Sequence, residues 1–299
     1  MTYTKTELRD FLNQEVEKVK GVYYPVKAGI FRRLFIHKMA CSKLHPNPND
    51  EFCFPDIGPN MEIISHYEKQ YRSACGSLSE IRYMEGGVSE PIIIEKTSPD
   101  GYMILNGHHR WIAARRGGFK KIPVEIVDLT QEKDIRKMLN KTGAQKRAVL
   151  DLDEVVFCGE GDSNCEKAPG FPFSKFYKDR IRIGIPALFH FLNSHGYDIW
   201  VYTPKYYSLD YIRHLFMHYR VRVTGIVTGT ARKGPRDKDT IRELDKMLET
   251  KYKSVTHIDL DTVFRTVKDS KEIESHQLDS SASVWSGKVM EIIGKMDKA

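Results

Sequence analysis

Arg147-Ala148-Val149-Leu150-Asp151-Leu152-Asp153-Glu154 is an apolar run that ends in acids. The run through Leu150 reads as a short buried β-strand. Side chains at i and i+2 of a strand point the same way, so Asp151 and Asp153 emerge side by side at the strand's end. That is where open α/β sheets build their sites. Two carboxylates this close repel each other unless a metal or a shared proton relieves them. The pattern suits a magnesium-dependent phosphoryl-transfer centre, one carboxylate attacking and the other handling the proton. The plainer alternative is a strand ending in a solvated polar turn.

Downstream, predicted strands at 147–152, 198–203, 222–228 and 254–259 alternate with helices near 182–195, 206–218, 237–250 and 282–296. Alternation of this kind predicts a parallel sheet. Upstream, Thr4 and Glu7 form a capping box for a helix over about 5–20. An amphipathic piece follows over about 27–40, with Arg32, Arg33, His37 and Lys38 on a basic flank. The prolines of residues 42–60 predict a long irregular loop. Asn60 caps a short helix carrying Ile63, Ile64, Tyr67 and Tyr71. Strands are expected at 91–95, 102–105 and 122–127, a helix through Arg116 ended by Gly117-Gly118, and a last helix near 131–139. The expected organisation is a helical extension over 1–40, one domain over 41–143 and a second over 146–299.

The chain has 299 residues, 40% hydrophobic and 11% aromatic, enough for two buried cores. No apolar run approaches the roughly 20 residues of a membrane span, and no signal-peptide pattern is present. The five cysteines are odd in number and include no Cys-x-x-Cys pair, which argues against a disulfide framework or a structural zinc site and for a reducing cytoplasm. The formal charge of +7 favours anionic partners: nucleotides, phosphate esters or nucleic acid.

Gly107-His108-His109-Arg110 stands at a strand-to-helix junction. Glycine there permits close backbone approach to a ligand, the helix start attracts phosphate, and Arg110 is able to clamp phosphate oxygens. His108 or His109 could donate to phosphate or shuttle a proton. The bland alternative is a capped helix with two half-exposed histidines. Glu90-Pro91-Ile92-Ile93-Ile94, Gly101 through Ala114, and Ile122-Pro123-Val124 resemble the N-terminal domain shared by ParB, sulfiredoxin and a ParB-like free-serine kinase. The resemblance implies an α+β domain that binds nucleotide (ATP, ADP or CTP) at Gly107, His108, His109 and Arg110. Sulfiredoxins carry a cysteine where this chain has His108, and ParB proper continues into a helix-turn-helix, so the His-His-Arg form looks closest to the kinase branch. That branch uses an early acidic base, for which Glu51 is the candidate and Asp50 its rival.

In the second half, Asp151-Leu152-Asp153-Glu154-Val155 resembles the first motif of the haloacid dehalogenase (HAD) superfamily. Thr203 at a strand end, Lys238 opening a helix (Lys233 as alternative), and Asp259 or Asp261 after the last strand resemble the other three. The resemblance implies a Rossmann-like parallel-sheet phosphatase. Asp151 would be the nucleophile, Asp153 the acid and base, Thr203 and Lys238 the phosphoryl binders. Mg²⁺ would be held within the set Asp151, Asp153, Asp259 and Asp261. The glycine- and proline-rich stretch Phe157–Lys178 looks like a flap, so the unit would be capless.

The expected function is therefore a Mg²⁺-dependent phosphoester hydrolase fused to a nucleotide-binding domain with possible kinase activity, acting on a phosphorylated small molecule or nucleotide. The competing expectation is a nucleotide-responsive ParB-like regulator whose second domain is a scaffold. Nucleic-acid binding through Arg32, Arg33 and Lys38 is less favoured, since no helix-turn-helix or stacking platform is visible.

Overall fold

The computed structural model describes residues 5–75, 80–81, 90–159, 161–230, 238–270, 272–278 and 284–298. The chain forms two compact units: Met1–Asp128, and Leu129–Thr230 with Arg236–Ala299. The division thus falls between Asp128 and Leu129, not at 143–146. The helix α5 (Glu132–Leu139), expected to close the first domain, buries Met138 and Leu139 in the core of the second.

The first unit comprises α1 (Lys5–Val19), β1 (Tyr24–Pro25), α2 (Ile30–Arg33), β2 (His37–Ala40), β3 (Leu44–His45), α3 (Met61–Cys75), β4 (Ile92–Ser98), β5 (Tyr102–Asn106), α4 (His108–Arg116) and β6 (Lys121–Ile126). Its mixed sheet has the order β2-β6-β4-β5-β3, with β1 paired to the far end of β4. Residues 1–40 are not a separate helical extension. Leu8 and Leu12 of α1 lie in the core with Trp111, while β1 and β2 are strands of the sheet. Thr4 of the expected capping box lies outside the described residues. The amphipathic helix over 27–40 shrinks to the single turn α2, and its basic flank is spent locally. Arg33 meets buried Asp128 at 3.2 Å, Arg32 bonds Tyr102, and Lys38 pairs with Glu80. Asn60 does cap α3, accepting from the N–H groups of Glu62 and Ile63.

The second unit contains β7 (Lys146–Asp151), α6 (Ile185–Ser194), β8 (Tyr197–Tyr202), α7 (Leu209–His218), β9 (Gly225–Val227), α8 (Lys238–Lys251), β10 (Ser254–Ile258), β11 (Thr262–Val267), β12 (Ile273–Gln277) and α9 (Trp285–Met296). Strands β10-β7-β8-β9 run parallel, as the alternating pattern requires, and β11 and β12 extend the sheet antiparallel beyond β10. That hairpin was not expected. Five of the six residues of β8 are buried, the mark of a strand covered on both faces. Gly225 on β9 has a packing reason, since a Cβ there would stand 2.2 Å from the Trp200 ring. The buried indole of Trp200 donates to Tyr252 Oη, which donates to Asp198, and Asp198 also accepts from Thr142 and Thr224. Such a closed network lets polar atoms sit in the core without the 1–3 kcal/mol or so that each unpaired group costs.

β7 lies between β8, which continues the chain to one side, and β10, which returns on the other. This is a topological switch point, and the crevice it opens at the strands' carboxyl ends is flanked by Asp151 and Asp259. Among the described residues no helix is long and apolar enough to cross a membrane.

Candidate functional site

In the first unit β5 runs into α4 through Gly107, whose φ of 101° is left-handed. A Cβ there would meet Ile92 and the Arg110 guanidinium at 3.1 Å, so glycine is needed for both conformation and space. The two histidines that follow are acceptors. His108 Nε2 takes the backbone N–H of Asn47 at 3.1 Å, and His109 Nε2 takes that of Asn60 at 3.0 Å. Their protons therefore sit on Nδ1, and in His108 this atom faces Asp50 Oδ1 at 3.8 Å. Burial pushes His108 down to about 4 and lowers His109 as well, each against the opposing pull of Asp50. The rings thus staple the loop 47–60 to the start of α4. Their Nε2 atoms are not free to donate to phosphate.

Phe52 completes the staple, stacked on His108 and edge-on to His109. Asp50, the rival base, is occupied as the cap of the short turn Glu51–Cys53, accepting from Phe52 N–H. Glu51, next to it, is exposed. Arg110 is buried and donates to Glu90 O, Glu90 Oε2 and Asn106 Oδ1. Burial pushes Cys41 up to about 11 and Cys53 up to about 12, so both thiols stay protonated at neutral pH.

In the second unit Asp151 ends β7 and caps the turn Leu152–Val156. Its Oδ1 accepts the N–H groups of Asp153 and Glu154 at 2.7 and 2.8 Å. Asp153 and Thr203 come together, as the resemblance to the HAD motifs implies, although Asp153 stands in the turn after β7 and not on the strand. The Thr203 hydroxyl, fully buried, donates to Asp153 Oδ2 and accepts the N–H of Lys205 at 3.0 Å. In this state Thr203 therefore serves Asp153. Lys205 Nζ lies 2.8 Å from Asp153 Oδ1. Its pKa is raised by that bond above all, and by the charges of Asp153, Asp179 and Asp151. Sequence reasoning passed over Lys205, although it stands two residues beyond Thr203 in Tyr202-Thr203-Pro204-Lys205. A cation at that offset from a strand-end threonine was the available signal.

Asp259 and Asp261 sit in the turn from β10 to β11, held by Asp259 N–H to Thr262 O and by the Trp285 indole to Leu260 O. The Asp259 pKa is raised, first by burial and then by Asp261 and Asp151, with His257 opposing. Asp259 thus feels the nucleophile candidate directly, while Asp261 bonds its neighbour Thr262. Lys233 lies outside the described residues, as does the side chain of Lys238, whose backbone opens α8. Among the described residues no group of three His, Cys, Asp or Glu is close enough to hold a metal.

The stretch after the acidic turn folds back on itself. Phe157 bridges to Ile181 and Cys165 to Arg182, and the Arg182 guanidinium bonds the carbonyls of Glu154 and Val155. This ladder brings Cys158 and Cys165 together as a disulfide with Cα atoms 6.1 Å apart, a pairing that cysteine count and spacing argued against. Near its end Asp179 accepts from the hydroxyls of Tyr207 and Tyr211.

Residues 74–142 match the ParB N-terminal domain. The match runs past Asp128 and includes α5. The chain is also similar to two proteins named ATP-dependent L-serine kinase. One, from Staphylothermus marinus, is 43% identical over 49 residues, 16% of this chain and 19% of that protein. The other, from Desulfurococcus mucosus, is 32% identical over 106 residues, 35% of this chain and 40% of that protein. The chain thus spans less than half the length of either curated relative.

Proposed function

We propose that the first unit is an ATP-dependent kinase for a small hydroxyl-bearing metabolite of the serine class. The observation that carries this reading is the similarity to two L-serine kinases together with the Gly107–Arg110 turn that faces the Glu51 loop. Gly107 and the first N–H groups of α4 receive the phosphates, and Arg110 supplies the charge. Glu51 is the base that takes the hydroxyl proton. His108 and His109 hold the loop in register. Formation of phosphoserine from ATP and L-serine, followed by ³¹P NMR, tests the reading; ATP that stays intact with every hydroxyl amino acid would sink it.

A second reading belongs to the second unit, and a separate observation favours it: Asp151, Asp153, Thr203, Lys205 and Asp259 gather at the carboxyl ends of β7, β8 and β10. We read this unit as a HAD-like, capless phosphoester hydrolase acting through Asp151 Oδ2. The charges of Asp261 and Asp151 bear on Asp259, and the hard oxygen donors of these acids suit a Mg²⁺ ion. Asp151 and Asp259 would hold it, and it would supply charge neutralisation. Asp153 moves the proton of the leaving group and then of water. Magnesium-dependent phosphate release from a panel of phosphoesters, lost in Asp151→Asn, is the expected result; release that survives the substitution would remove this reading. Of the basic side chains Arg32, Arg33 and Lys38, Arg33 pairs with buried Asp128, while Arg32 and Lys38 are exposed beside Tyr102 and Glu80.

A further inference from the structure

We propose that Lys205 is the cation that binds the phosphoryl group in the second unit, the position for which Lys238 and Lys233 were the sequence candidates. The inference rests on the hydrolase reading of that unit. A phosphate ester that approaches Asp151 Oδ2 meets the carboxylates of Asp151 and Asp153, so its negative charge has to be offset by a cation beside them. Lys205 meets three requirements for that role.

Its backbone is fixed at both ends: its N–H donates to Thr203 Oγ1 at 3.0 Å, and its C=O accepts from Gly229 N–H at 2.9 Å. Its ammonium is already at the acids, 2.8 Å from Asp153 Oδ1. Yet the side chain is 62% exposed, so the head group can swing from Asp153 to an incoming oxygen without dragging the backbone. Asp153, released from Lys205, keeps its bond from Thr203 and stays aligned.

The test is calorimetric titration of the full chain with inorganic phosphate in the presence of Mg²⁺. It is done in an Arg110→Met background, which removes the guanidinium of the nucleotide-binding turn. Lys205→Met is expected to weaken phosphate binding about 10-fold or more, a loss of about 1.4 kcal/mol. Lys205→Arg should restore most of it, a rescue that a packing role would not produce. Phosphate binding unchanged by Lys205→Met, or absent from the background protein, overturns the inference. The underlying reading is checked separately by turnover of p-nitrophenyl phosphate. Turnover retained in Asp151→Asn would mean that the hydrolase assignment fails, even if Lys205 still governs anion binding.

Discussion

Two strand ends in this molecule differ in how fully their charges are answered. Around the turn after β5, four polar side chains are answered from within: His108 and His109 by backbone N–H groups, Arg110 by Glu90 and Asn106, Asp50 by the turn it caps. After β7, Asp151 and Asp153 are answered by two backbone N–H groups, Thr203 and Lys205, but the Asp259 carboxyl is raised, first by burial and then partly by the charges of Asp261 and Asp151. The difference separates two tasks. On the proposed kinase reading, a turn that receives an anion through backbone N–H groups and one buried guanidinium gains from a rigid frame. On the proposed hydrolase reading, the carboxylates after β7 carry charge that a metal ion and a substrate phosphoryl group would balance.

The largest effect should come from Asp151→Asn. It leaves both capping bonds to Oδ1 possible but removes the nucleophile, so phosphate release from the best phosphoester should fall about 1,000-fold or more while the circular dichroism spectrum is unchanged. Retained turnover would break the contrast between the two strand ends. Arg110→Met should weaken ATP binding in the first unit by about 10- to 100-fold, the worth of one charged hydrogen-bonding group, and calorimetry would measure it. The acids of the second unit can be told apart by their magnesium requirement. Asp259→Asn should raise the Mg²⁺ concentration for half-maximal hydrolysis about 10-fold, whereas Asp261→Asn should change it by less than about 2-fold. The reverse order would exchange their roles.

The smallest effect concerns pH. Burial lowers His108 from 6.5 to about 4, so the folded state binds fewer protons than the unfolded state between those values. Its contribution is therefore complete above about pH 6.5 and is lost progressively as the pH falls toward 4. The melting temperature of the first unit should decline over that window, and His108→Gln should flatten the decline. A profile indifferent to that substitution would show that the staple is not set by the neutral ring.

Much of the second unit was legible in the sequence, because a parallel sheet writes itself as apolar runs alternating with amphipathic helices. Asp151 could be placed at the strand's end from the apolar run, but Asp153 stands in the turn after β7 and not on the strand, and its meeting with Thr203 followed only from the resemblance to the HAD motifs. The β11–β12 hairpin was missed because β12, Ile273–Gln277, is polar and mostly exposed, so it carries no hydrophobic pattern. Residues 27–40 misled for the opposite reason. Ile30, Phe31, Leu34 and Phe35 have helical spacing, but His37–Ala40 gains more by pairing with β6 as a strand. The histidines show a deeper limit. Sequence identifies a residue able to donate or accept, and only the partner, here the N–H of Asn47 or Asn60, determines which it does. Lys205 and the Cys158–Cys165 pair were likewise invisible as pairs, since each depends on a chain reversal that no local spacing announces.

The most direct measurement is transfer of the ATP γ-phosphate to L-serine by the wild type, Glu51→Gln and Asp151→Asn, read by ³¹P NMR in one series. The two-site account predicts phosphoserine with the wild type, its loss by about 100-fold or more with Glu51→Gln, and undiminished formation with Asp151→Asn. Phosphoserine formation that survives Glu51→Gln but disappears with Asp151→Asn would contradict it, because the transfer chemistry would then belong to the second unit.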